Sequence, residues 1–250
     1  MGWVNLQCGA QVLRVDGSIC EMARERVHWE SFLATSGEPP ALTISRRSAV
    51  DGLAIDAPLG QCTVRVEGPS LDVAIEDGVF RGELVLRLAW YLLTARQGGV
   101  LIHACGLKYG SSAVIAAGKS GDGKSTLSRL GIAAGLELLS DEVMQLFPDG
   151  RVSGTPFRSD VEQPGRPGLV QAKYFCALEK APHEALRPLS ALAAVGLAAA
   201  QCQEVGQMAI PRDETRRRLL GFLSQVEPRL FAFRKDPAAG EALKEWLTPP

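Results

Sequence analysis

Between Gly118 and Ser125 the chain reads Gly-Lys-Ser-Gly-Asp-Gly-Lys-Ser, an ungapped match to the template G-x-x-x-x-G-K-[ST]. With glycine at 26 of 250 positions, chance places that template somewhere in such a chain on the order of 1% of the time. The flanks narrow the fold further. Ser112 to Ala117 is a short apolar run of small and β-branched residues, suited to a strand buried on both faces. Ser125 to Ala134 places Leu127, Leu130 and Ala134 on one helical face, and Gly135 can end that helix. A glycine-rich turn between a buried strand and a helix N-terminus points backbone N–H groups inward and adds the helix's partial positive charge. That combination is built for a polyphosphate. The residues expected to bind the nucleotide are Gly118, Ser120, Gly121, Asp122, Gly123, Lys124, Ser125 and Thr126, with Lys124 on the β/γ-phosphates and the Ser125 hydroxyl on Mg²⁺.

Phosphoryl chemistry also needs carboxylates near the metal. Glu137 to Ser140 reads as a short strand that delivers Asp141 and Glu142 at its end. Adjacent residues on an extended segment point to opposite sides, so the two acids divide their work: one holds the metal, the other accepts the proton of an attacking hydroxyl. Upstream, Val100 to Leu107 reads as a second strand, turning around Lys108 to Ser111 into the strand at 112–117. This antiparallel return brings His103 beside the phosphate loop, where it can titrate near neutrality.

The His103-Ala104 pair, the 118–125 loop, Gly135 and the Asp141-Glu142 pair together resemble the catalytic core of the HPr kinase/phosphorylase family. The resemblance covers residues 100–145 strongly and 82–200 loosely. It implies a P-loop α/β fold of the HPr kinase/phosphoenolpyruvate carboxykinase type with a mixed central sheet, ATP and Mg²⁺ as cofactors, and transfer to a serine hydroxyl. It also implies that Asp141 is the base toward the serine hydroxyl with Glu142 as its companion acid, that His103 and Lys124 have catalytic roles beside the phosphates, and that Ser125, Asp141 and Glu142 contact the metal. The chain departs from the family where Glu142 replaces the second aspartate of an Asp-Asp pair, and where the downstream Glu-Val-Arg-Gly-x-Gly signature is missing. Reverse phosphorolysis and HPr as acceptor are therefore not implied. Gly154-Thr155-Pro156-Phe157 and Tyr174 to Lys180 are instead similar to segments of the short HPr-kinase-like proteins associated with modified peptides. The expectation is an ATP-dependent serine kinase-like phosphotransferase acting on a protein or peptide. The rival readings are a catalytically silent ATP-binding regulator and a small-metabolite kinase. Arg158, Asp160 and Glu162 are further candidate contacts on a solvated loop.

A formal charge of −1 gives no bulk attraction for nucleic acid, and no clustered aromatics offer a base-reading surface. The basic run Arg212–Arg218 is the wet face of a helix that also carries Leu219, Leu220 and Leu223. Six cysteines lack any C-x-x-C pair, which excludes the usual zinc spacings and suits buried thiols in a reducing cytoplasm. No signal peptide is legible, and the Ala-rich stretch 189–202 is too short for a membrane span and reads as a packed helix. No membrane or nucleic-acid partner is expected; a homo-oligomer is compatible with the sequence.

Residues 1–81 read as a β-rich N-terminal layer and 82–250 as the P-loop kinase-like domain. Strands are expected at 11–15, 53–55, 63–66 and 71–75, with Asp77-Gly78 as a hairpin turn into Val79-Phe80 and a helix over 83–97. After 200 the reading is helix 213–225, strand 229–234 and helix 237–247, bounded by Pro211, Pro228 and Pro249. Gln163 to Gly168 reads as a mobile segment suited to a lid.

Overall fold

The computed structural model describes residues 2–35, 37–158, 160–203 and 210–248. The expected boundary at Pro249 lies outside these residues. The fold is mixed α/β: among the described residues, two mixed sheets and six helices.

The N-terminal layer is a six-stranded sheet built from β1 (Trp3–Cys8), β2 (Gln11–Asp16), β3 (Leu42–Arg47), β4 (Leu53–Ala57), β5 (Gly60–Glu67) and β6 (Ser70–Ala74). Their spatial order is β1-β2-β3-β6-β5-β4. Alternation of apolar and polar residues buries one face, as in β5, where Cys62 and Val64 point inward. That face is covered by α1 (Gly17–Ala23) and α2 (Val79–Arg96). Asp16 starts α1 by accepting the Ser18 backbone N–H at 2.9 Å. The expected Asp77-Gly78 hairpin does not form. Gly78 is the N-cap of α2, and Val79 and Phe80 are its first residues. The turn signal was real, but the apolar run after it continues with helical spacing through Leu84, Leu88 and Tyr91, and packing on the sheet decides its conformation.

The second sheet contains β7 (Val100–Tyr109), β8 (Ser112–Ala117), β9 (Glu137–Ser140), β10 (Val143–Leu146), β11 (Arg151–Ser153), β12 (Val170–Lys180), β13 (Ala185–Pro188) and β14 (Glu227–Phe233). The main path is β11-β10-β7-β8-β12-β14-β13, with β9 paired to β7 and β11 paired back to the start of β12, so the sheet curls on itself. The expected 100–117 hairpin is present, with Ala104 opposite Ala117. Because β8 and β9 both run antiparallel to β7, their C-terminal ends emerge on the same side. One of these ends carries Gly118 and the other Asp141.

Four helices sandwich this sheet. One face packs on α3 (Lys124–Ala133) and α6 (Ala238–Leu247), the other on α4 (Ala191–Ala200) and α5 (Arg212–Leu223). The Ala-rich segment is thus a packed helix, meeting the sheet through Ala194 and Ala198. No helix among the described residues is long and apolar enough to cross a membrane. Within the basic run, Arg218 departs from the wet-face expectation: its Nη1 donates to the carbonyls of Ala95 and Gly99 at 2.9 Å each, closing the C-terminal end of α2.

Candidate functional site

The loop from Gly118 to Gly123 leaves β8 and enters α3 at its N-terminus. Two glycines are required by the geometry. Gly123 caps the helix in the left-handed region at φ 107°, and a Cβ there would lie 3.1 Å from the Phe233 ring at the end of β14. At Gly118 a Cβ would lie 2.6 Å from Asp122 Oδ2, the atom that accepts the Lys119 backbone N–H at 2.6 Å. Asp122 therefore braces the loop from inside. Lys124 is only 7% exposed, and its ammonium donates to the carbonyls of Gly118 and Lys119 at 2.8 and 3.1 Å. A lysine ammonium held on loop carbonyls beside a helix N-terminus is a setting that suits an anion.

The loop and the helix N-terminus form one side of a cleft of about 380 Å³. Ser120, Gly121, Gly123, Lys124, Ser125 and Thr126 line it from the loop and α3, and His103 and Glu142 face them from β7 and the turn after β9. Two more residues, Arg129 and Asp160, complete the lining. They are linked: Arg129 Nη2 donates to the Asp160 carbonyl at 2.6 Å. Gly118, Asp122 and Asp141 are the sequence-expected residues outside that lining. The first two shape the loop, as described above.

The acids are splayed by a tight turn between β9 and β10. The buried Ser140 hydroxyl accepts the backbone N–H groups of Glu142 and Val143, both at 3.3 Å, and approaches Thr155 Oγ1 at 3.4 Å. Asp141 consequently points inward. It is 3% exposed, and its Oδ2 accepts the Val161 backbone N–H at 3.1 Å. Glu142 points into the cleft, with Oε1 3.2 Å from Arg87 Nη2 and Oε2 3.6 Å from His103 Nδ1.

Behind Glu142 lies a charge chain that reaches into the N-terminal layer. Arg87 on α2 also meets Glu83, which is wholly buried, at 2.8 Å, and Glu83 meets Arg26 at 2.5 Å. The Arg87 guanidinium stacks 4.6 Å from the Phe157 ring centroid. Sequence reasoning missed this chain. Its one visible trace was the Glu83–Arg87 spacing of four, the favourable helical order for an ion pair.

His103 sits below the ordinary imidazole value of 6.5. Burial is the main cause, the Glu142 carboxylate opposes it, and the charges of Lys124 and Arg87 reinforce it. The ring is therefore neutral at neutral pH. Beneath the loop, burial pushes the Cys105 thiol up to about 11.

No protein-family model matches this chain, and no curated protein matches it.

The cleft's donor set is one of hard oxygens. Among the described residues no three His, Cys, Asp or Glu side chains converge as a metal site. A divalent cation here would rely on the Ser125 hydroxyl, one or two carboxylates, and oxygens of its own ligand or water. That is the habit of Mg²⁺ and not of zinc. Gln163 to Gly168, expected to be mobile, is tied down at its middle: Arg166 N donates to the Leu139 carbonyl at 3.1 Å, and a Cβ on Gly165 would lie 2.2 Å from that same oxygen.

Proposed function

We propose that this protein binds Mg-ATP in the cleft beneath the 118–126 loop and transfers the γ-phosphoryl group to a hydroxyl, that of a serine in a protein or peptide. The observation that carries the reading is the opposition of two walls across one cleft: Lys124, Ser125 and the loop amides on one, Glu142 and His103 on the other. The resemblance to the HPr kinase/phosphorylase family supports the serine as acceptor.

In this reading the loop N–H groups and the α3 N-terminus take the β-phosphate oxygens, and Lys124 leaves its two carbonyl partners to follow the β- and γ-oxygens. Ser125 and Glu142, which line the same cleft, would hold Mg²⁺, and the ion would supply charge neutralisation at the phosphates. The turn at Ser140 supports a division between the acids. Asp141, expected as the base, is buried outside the cleft lining and fixed by the Val161 N–H, so the reading gives the acceptor hydroxyl to Glu142, which lines the cleft. The hydroxyl proton passes to Glu142 as the acceptor oxygen bonds to the γ-phosphorus, and the bond from that phosphorus to the β–γ bridging oxygen breaks to release ADP. His103, held neutral by burial in the nucleotide-free cleft, would take up a proton more readily beside the phosphates' negative charge.

The test is titration calorimetry with Mg-ATP, followed by transfer from γ-labelled ATP to a lysate resolved by mass. Binding in the micromolar range with label on polypeptide is expected. Absence of Mg-ATP binding refutes the reading, and label confined to low-molecular-weight species refutes its acceptor.

A further inference from the structure

Glu142 lines two cavities. Besides the phosphate cleft, it borders a second one of about 410 Å³ between the two layers, walled by Arg87, Leu84 and Phe157 and by the β4–β5 turn at Ala57 to Leu59. That second cavity shares Asp56 with a third, of about 580 Å³, which runs along β4 and β5 toward Ile75 and Arg81. Three hollows therefore lie next to one another in series, each adjoining pair bordered by one shared acidic residue. The sequence reading assigned the N-terminal layer no chemistry.

The geometry points to this linked groove as the seat of an extended peptide that delivers its serine to Glu142. The inference rests on the phosphotransfer reading above and adds to it the recognition surface and the chemistry of the partner. Three observations select a peptide. First, β4 is the outermost strand of its sheet, and its outer edge has no strand partner among the described residues. A peptide main chain can pair with such an edge, and a small metabolite cannot. Second, the second cavity is walled by Leu59, Leu84 and Phe157 and presents more apolar than polar surface, which suits side chains flanking the acceptor. Third, charge selects the flank. Arg26 and Arg87 are matched by Glu83 and Glu142, and Arg81 by Glu76. Asp56, which borders both the second and the third cavity, is the one charged residue lining those two with no ion pair among the described residues. A lysine or arginine near the acceptor serine supplies its counter-charge.

The experiment offers γ-labelled Mg-ATP and the full chain three acceptor pools: degenerate seven-residue peptides with a central serine flanked by lysine, the same with glutamate, and a mixture of free serine, glycerate and glycerol. The lysine pool should be used at least about fivefold better than the glutamate pool, as an interfacial charge pair provides. Asp56→Lys, an exposed position, should reverse that preference. Leu59→Trp, which fills the second cavity, should raise the peptide KM about tenfold or more, and Leu59→Ala, which leaves it open, should not. Equal use of both peptide pools, an unchanged preference in Asp56→Lys, or transfer to the small hydroxy compounds that Leu59→Trp does not affect would each overturn the groove assignment. Calorimetric Mg-ATP affinity in the same samples separates the two levels. Normal binding with transfer to lysate polypeptide but to neither peptide pool overturns the groove alone, whereas no binding, or binding with no transfer to any acceptor, overturns the phosphotransfer reading itself.

Discussion

Replacing Arg87 with methionine tests the charge chain that ties the N-terminal layer to the cleft. Methionine keeps most of the apolar stem against Phe157 but removes the guanidinium that serves both Glu83 and Glu142. Depriving a buried ion of its partner costs roughly 3–5 kcal/mol. Glu83 is wholly buried but retains Arg26, whose side chain is 39% exposed, so about half of that cost is expected at this carboxylate. Loss of the cation–ring contact adds roughly 0.5–1 kcal/mol. The sum is about 2–3 kcal/mol, or a fall in midpoint temperature of roughly 5–10 °C for a chain of this size. Urea unfolding followed by circular dichroism at pH 8 measures it. In the Glu83→Gln background the Arg87→Met cost should shrink by about 1 kcal/mol or more, because a neutral amide does not need a second guanidinium. A cost below about 0.5 kcal/mol at pH 8, or full additivity of the two substitutions, would refute the reasoning.

Lys124→Ala should abolish Mg-ATP binding, whereas Asp141→Asn and Glu142→Gln should largely keep it and lose transfer; equal loss of affinity in all three, by calorimetry, contradicts the division of roles. His28 and His103 are both held below 6.5, so their contribution to stability is complete above that pH and is lost as pH falls through their folded values. Thermal midpoints should thus drop between pH 7 and 5, and less steeply in a His28→Gln/His103→Gln variant; identical slopes would refute this. Cys8, Cys20, Cys62, Cys105 and Cys176 are buried with thiols pushed well above their ordinary range, so a thiol reagent should leave them unmodified in the folded protein at pH 8, and rapid native labelling of Cys105 would contradict its place beneath the loop. At Gly240 a Cβ would lie 2.2 Å from the Leu130 carbonyl, so Gly240→Ala should push α6 from α3 and cost about 1–3 kcal/mol in the same urea assay; a neutral effect would refute that close approach.

The stretch from Val100 to Ser140 was the most legible, because its signals are local; β10 was not anticipated. A hairpin turn, a glycine template and a short apolar strand each act within a few residues. The N-terminal layer was read in part. Strands β2, β4, β5 and β6 alternate clearly, but β1, β3 and α1 were not anticipated, and Asp77-Gly78 gave a turn of the wrong kind. The acidic pair was found and its division anticipated, but Asp141 was expected as the base toward the acceptor, whereas Glu142 is the acid that lines the cleft. That depends on the Ser140 hydroxyl and on Val161, twenty residues away from Asp141. Arg26, Glu83 and Arg87 were invisible as a group since only tertiary packing brings position 26 to position 83. Asp160 was among the candidate contacts, whereas Arg129, on the wet side of α3, carried no signal that distinguished it from an ordinary surface arginine.

The support beneath the phosphate loop has a consequence for biosynthesis. Strand β8, which carries the loop, is flanked by β12, and Gly123 rests on Phe233, so two parts of the cradle come from segments translated about fifty and a hundred residues after it. A ribosome that has just finished the glycine motif has made a sequence with no floor under it. The nucleotide affinity proposed above should therefore emerge only as the last few dozen codons are read, and a chain cut short before Phe233 should not show it.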